Sequence, residues 1–307
     1  MNFAHLHIVL NHIPSLGTVV AVGLFILSLV QKNDNLKKLS LELLVIMALL
    51  TIPTYMSGNA SQRIIQDRTE IPKSLIEMHQ NSAMVTLFLM SVTGTLAWLG
   101  LWQIRRYSRP VFWNTSAILI FSVLAAVFIL RTANMGGDIS HPEIRAAGTA
   151  PLDENVGWRE SIESYTNDHA WVWPASETVH YLGMAVLFGV SLLLNLRILG
   201  MMKGISFVAL HRLLPLGIFG FVLCVISGMV FFMSNPSLYF TNPGFTAKIA
   251  LLLPAALGVI YFTVFDKTWE LGKDQDASLS AKLVAVSTLS SIVGVMYFGR
   301  MLPFISH

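Results

Sequence analysis

Eight apolar stretches, each close to the length a lipid bilayer demands, constrain this chain more than any motif does. Crossing the hydrocarbon takes roughly 20 mostly apolar residues in a helix, and such stretches run at about 9–31, 39–57, 80–104, 110–131, 178–201, 208–234, 244–265 and 282–303. Lipid offers no partner to an open backbone N–H or C=O, so continuous runs of this length are predicted to be helices. The connections are short except for 58–78 and 132–176, which are polar. The expected fold is therefore an all-α membrane protein of about eight transmembrane helices arranged as two four-helix bundles. Its parts are an N-terminal membrane domain over 1–145, a connecting segment over 146–176 and a C-terminal membrane domain over 177–307. No sequence repeat links the two halves.

Only 12% of the residues are charged against 54% hydrophobic, about half the charged share of an ordinary soluble domain. The pI near 9.0 is accordingly read as topology rather than as nucleic-acid binding. The loops after the first, third, fifth and seventh stretches carry Lys32, Lys37, Lys38, then Arg105, Arg106, Arg109, then Arg197, Lys203, Arg212, then Lys267, Lys273, Lys282. These are 12 of the 20 bases, three to a loop, while the opposite side holds 11 of the 17 acids, from Asp67 to Glu177. Positive loops stay in the cytoplasm. A bacterial inner-membrane protein with both termini and both long loops on the periplasmic side is the expectation. Met1–Leu10 lacks the basic start of a cleavable signal, and the single cysteine, Cys224, allows neither an intrachain disulfide nor a covalent CxxCH haem attachment. The aromatic residues Trp158, Tyr165, Trp171 and Trp173 in the second long connection suit a short amphipathic segment at the membrane–water interface.

On this topology the nine histidines are not scattered. His5, His7 and His12 fall at the outer start of the first helix, and His79 at the outer start of the third. His141 follows the fourth, His169 lies in the outer loop and His180 opens the fifth; His211 alone is on the inner side. Ionisable groups at membrane depth are costly, so a layer of them points to function. His5 and His12, seven residues apart, share a helix face while His7 points elsewhere. In an up-down bundle the first and third helices are diagonal, which lets His12 and His79 face each other across the axis as axial ligands of haem b. His141 and His180 form the expected second pair, so one or two haems are predicted. Arg131, Lys248 and Arg300, near the outer helix ends, are candidate partners for haem propionates, and Gly17, Ser82 and Ala83 are small enough to admit a porphyrin. His169 and His307 are expected to be solvated.

The segments His5-Leu-His-Ile-Val-Leu-Asn-His12-Ile-Pro14, Ser57-Gly58-Asn59-Ala60, Ile76-Glu77-Met78-His79 and Gly136-Gly137-Asp138-Ile139-Ser140-His141-Pro142-Glu143-Ile144-Arg145 resemble a family of uncharacterised bacterial multi-pass membrane proteins. That family's pattern reads HLHxxLNHxP, then IExH, then GGxIxHPEIR. Glu177-Thr-Val-His180, Leu196-Arg197-Ile-Leu-Gly200, His211 and Phe245-Thr-Ala-Lys248 are similar to a second four-helix membrane family. The resemblance implies weight for His7, His12, His79, His141 and His180, and extends to His211 and Lys248, without supplying a chemistry. This chain departs from the first pattern at Asn59 and at Ser61-Gln62, where relatives tend to carry acids.

By general analogy to b-type membrane cytochromes, the leading expectation is an electron-transfer subunit rather than a stand-alone enzyme. It would pass electrons between the quinone pool and a periplasmic c-type cytochrome or oxidoreductase subunit. The alternatives are a copper or zinc permease, since imidazole suits both metals, and a structural subunit of a respiratory complex.

Overall fold

The computed structural model describes residues 3–65, 71–108, 110–140, 157–234, 239, 242–265, 267–272 and 274–305. The chain is an all-α membrane protein whose eight spanning helices match the eight apolar stretches. Chain packing divides it into two units, residues 1–165 and 166–307.

Unit 1 is built on α1 (Phe3–Gln31), α2 (Asp34–Ile65), α3 (Lys73–Tyr107) and α4 (Phe112–Ser140). Each helix packs on its chain neighbours and α4 closes back onto α1, so α1 and α3 are diagonal. The helices outrun their apolar stretches. α2 continues about two turns past Ser57, and α4 continues through Gly136-Gly137 to Ser140, where hydropathy alone places a loop. Hydropathy marks what lies in hydrocarbon; a helix continues wherever its backbone bonds and neighbours still hold it. A further helix, α5 (Gly157–Asp168), occupies part of the second long connection.

Unit 2 contains α6 (Val172–Ile198), the short α7 (Phe207–His211), α8 (Leu214–Ser234), α9 (Pro243–Ile260) and α10 (Leu279–Met301). α7 and α8 together make one span, Phe207–Ser234. The pairs α6–α8 and α9–α10 pack tightly, and α10 lies against α6.

Hydroxyls enter the spans by bonding back to their own helix. Thr51 donates to the Met47 carbonyl at 2.8 Å, Thr132 to Phe128 at 2.8 Å and Ser227 to Leu223 at 2.6 Å, which removes the cost of an unsatisfied polar group in lipid. Close packing rests on small residues. A Cβ at Gly183 would meet the Gly220 carbonyl oxygen at 2.8 Å, and one at Gly220 would meet the Gly183 oxygen at 2.8 Å, so α6 and α8 touch backbone to backbone. In unit 1, Met47, Leu89, Met90 and Ala125 form a buried core, while large apolar side chains such as Leu16 and Phe112 remain exposed on the outer faces.

The end of unit 2 away from His180 is tied by one buried base. Arg197 is fully buried; its Nε donates to the Ile205 carbonyl at 2.8 Å and its Nη2 to the Gln275 carbonyl at 3.3 Å. Its guanidinium carbon sits 4.1 Å from the centroid of Phe207. Outside the spans, Asp276 pairs with Lys203 at 3.0 Å and Lys282 at 3.9 Å. The hydrogen bond from Lys203, reinforced by the surrounding positive charge, holds the Asp276 carboxyl below its ordinary range.

Candidate functional site: paired side chains at one end of each bundle

The start of α1, the end of α2, the start of α3 and the end of α4 share one end of unit 1, and that end is polar. His7 and His79 meet there from the diagonal helices, with ring centroids 6.4 Å apart and planes 82° from parallel. His7 Nδ1 lies 3.0 Å from the Thr54 carbonyl oxygen and 3.3 Å from Ser57 Oγ. His79 Nδ1 lies 3.0 Å from the Thr132 carbonyl oxygen. A carbonyl only accepts, so each Nδ1 carries the proton and each Nε2 keeps its lone pair. Among the described residues neither Nε2 has a hydrogen-bond partner. Fixing Nδ1 on a carbonyl while Nε2 stays available is how metal-binding histidines are usually held.

Two glycines make this seating possible. A Cβ on Gly58 would stand 2.7 Å from His7 Cε1, and one on Gly136 would stand 3.3 Å from His79 Cε1. Each glycine lies four residues after the threonine whose carbonyl takes the imidazole: Thr54 and Gly58 on α2, Thr132 and Gly136 on α4. Around the pair, Ser82 Oγ and Thr132 Oγ1 are 2.7 Å apart, and Thr86 Oγ1 is 3.1 Å from Thr132 Oγ1. Gln80 donates to Asn59 Oδ1 at 3.1 Å and also to Gln62. At the positions where the resemblance leads one to expect acids, this chain has a neutral amide network.

His79 faces α1, and the histidine it meets there is His7 rather than His12. His12 is exposed, and its Nδ1 bonds to the Ile8 carbonyl of its own helix at 2.9 Å. His7 and His12 are five residues apart, about 140° around a helix, so one helix cannot aim both at the axis. Gly17, expected to make room for a porphyrin, is filled by Met47. Ser82 lines the site through Thr132. Arg131 is exposed on α4 beside Thr132. His141 and His307 lie outside the described residues, and His169 is exposed.

Unit 2 repeats the arrangement with different side chains. His180, on its first helix, points its Nδ1 at Ser227 Oγ, 2.9 Å away. Ser227 already donates to Leu223, so the imidazole is the donor and its Nε2 again keeps a lone pair. The Cys224 carbonyl lies beside the same ring, and the Cys224 thiol reaches the His180 carbonyl at 3.7 Å. Gly228, on the turn below, would bring a Cβ within 3.8 Å of His180 Cε1. The cradles align residue for residue: Thr54-Tyr-Met-Ser57-Gly58 holds His7 and Cys224-Val-Ile-Ser227-Gly228 holds His180. On the third spanning helix of unit 2, Lys248 stands where unit 1 has His79. It too rests on a glycine of the fourth, since a Cβ on Gly299 would be 3.3 Å from Lys248 Nζ. The Lys248 ammonium lies within electrostatic reach of His180 and Cys224. Arg300 follows Gly299 and is exposed. The sequence shows no repeat because only about five spaced positions are shared; the packing around them reveals it.

His211 is buried against Trp269, with ring centroids 4.6 Å apart. Among the described residues no three His, Cys, Asp or Glu side chains gather as a metal cluster. No protein-family model, curated protein or solved structure matches the chain.

Proposed function

We propose that this chain is a membrane-bound b-type cytochrome, an electron-transfer subunit in which His7 and His79 would hold one haem in unit 1. The observation that carries the reading is the His7–His79 pair itself. Their ring centroids are 6.4 Å apart, a spacing at which both imidazoles would be able to hold one metal between them. Both Nδ1 atoms are committed to carbonyls, the ring flanks are cleared by Gly58 and Gly136, and Arg131 supplies a base near the fourth-helix end of the site. Held by two histidines, a haem would supply single-electron exchange rather than oxygen chemistry.

The bias of Lys and Arg toward alternate loops supports reading the histidine end of unit 1 as the periplasmic end, in a bacterial inner membrane. The subunit then links the quinone pool to a periplasmic c-type cytochrome or oxidoreductase subunit. The acidic connections on that face suit a basic docking partner.

The test is the visible spectrum of protein made with ample haem, oxidised and then reduced with dithionite. A reduced α-band is expected, lost or shifted in His7→Ala and in His79→Ala and unchanged in His12→Ala and His169→Ala. A wild-type protein with no such band refutes the reading, and retained stoichiometric copper or zinc in its place favours the metal permease.

A further inference from the structure

We propose that unit 2 carries a quinol-binding site between His180 of α6 and Lys248 of α9, the pair that stands where unit 1 has His7 and His79. The inference rests on the cytochrome reading only in taking quinol as the membrane-borne electron donor.

The chemistry of the pair selects the ligand. Lys248 brings an ammonium into a spanning helix, where an ionised group is expensive and marks function unless paired. Among the described residues no carboxylate forms an ion pair with it, and the titratable groups in electrostatic reach of it are His180 and Cys224. It offers only donors. His180 has spent its Nδ1 proton on Ser227, so its Nε2 is a pure acceptor. A hydroxyl satisfies both at once, donating to Nε2 while its oxygen accepts from the ammonium. A carboxylate or phosphate meets the ammonium but sets a second acceptor against Nε2. A metal ion takes Nε2 but requires the lysine to give up its proton. A ring-bound hydroxyl on an apolar body is what a quinol presents. An aromatic wall is in place for that ring: Phe231 has its centroid 5.5 Å from His180 and 4.9 Å from Trp173. Gly228 and Gly299 keep side-chain bulk off both polar groups.

Unit 1, with imidazole in both places, lacks the donor half of this arrangement. The two units thus use one scaffold for two ligands, with the third-helix residue, His79 or Lys248, as the discriminating choice.

The experiment uses the full chain in lipid nanodiscs and anaerobic titration with decyl-ubiquinol and a short-chain menaquinol, read by tryptophan fluorescence quenching. Saturable binding is expected for at least one of the two. Lys248→Met and His180→Ala should each weaken it at least tenfold, Lys248→Arg should retain most of it, and His12→Ala and His169→Ala, at exposed positions outside both sites, should leave it unchanged. Monodispersity on size exclusion establishes that each variant is folded; if Lys248→Met fails this check, Lys248→Gln replaces it. Equal affinity in wild type and both unit 2 variants overturns the proposal, as does absence of saturable binding. Displacement of the quinol by a long-chain fatty acid but not by a neutral quinone analogue would assign the site to an anionic lipid and overturn it as well. The readout needs no haem, so a colourless protein that still binds quinol through Lys248 refutes the cytochrome reading and leaves this site standing.

Discussion

Adding one methyl group at Gly58 tests how His7 is held. The new Cβ would lie 2.7 Å from His7 Cε1, 3.0 Å from Nδ1 and 3.2 Å from Nε2: it presses on the ring itself, and both the ring and the α2 turn are packed. Ordinary contact begins near 3.4 Å, so the imidazole must retreat by about 0.7 Å, enough to stretch its 3.0 Å bond to the Thr54 carbonyl beyond the usual hydrogen-bond range. Replacing glycine by alanine in a helix gains about 1 kcal/mol, and losing the hydrogen bond costs about the same, so Gly58→Ala should leave the unfolding midpoint nearly unchanged. Ligand affinity should not be spared. Disturbing the group that orients a coordinating histidine costs about 10–100-fold in affinity, and that is the expected loss in haem titration of Gly58→Ala. Gly136→Ala, with its Cβ at 3.3 Å from His79 Cε1, asks for only about a tenth of an ångström and should lose severalfold at most. Gly137→Ala, with nothing within 4 Å, should bind haem as wild type does and gain stability by about 1 kcal/mol. Equal haem affinity across the three variants, or a loss at Gly137 as large as at Gly58, would refute the argument that the glycines exist to seat imidazoles.

Reporter fusions at residue 35 or 107 should read as cytoplasmic and fusions within 132–176 as periplasmic; the reverse would overturn the charge argument. Arg197→Ala should destabilise unit 2 by about 2–4 kcal/mol, because it strips the Ile205 and Gln275 carbonyls of a buried donor. Arg197→Lys should fail to rescue it, since one ammonium cannot replace two donors on a planar fork stacked on Phe207; denaturant titration checks both. Asp276 has a depressed folded pKa, so its contribution is present above its unfolded value and disappears as pH falls through the folded one. Asp276→Asn should therefore lower thermal stability at neutral pH, more at low than at high salt, and the difference from wild type should vanish in acid.

The helices were legible in the sequence because lipid leaves the backbone one economical solution and hydropathy reports it directly. That His7, His12 and His79 fall near helix ends within unit 1, and His180 near the start of its helix within unit 2, was legible too, because hydropathy marks where each apolar stretch begins. The inward face of α1 was not. That helix is apolar nearly all round, so no polar stripe separates the face toward α3 from the face toward lipid, and His7 and His12 are equally plausible from one dimension. Only the packing of α1 on α2, which drops His7 onto the Thr54–Gly58 turn, decides between them. Gly136 and Gly137 illustrate a second limit: glycine pairs ordinarily signal a loop, and nothing local says that a neighbouring imidazole has claimed the missing side chain. Likewise the correspondence of Lys248 with His79 exists in contacts to glycines of the fourth helices, over fifty residues away in sequence. Local composition specifies what crosses the membrane; which side chains face one another is settled by rotation of each helix about its axis, and that rotation is fixed by neighbours.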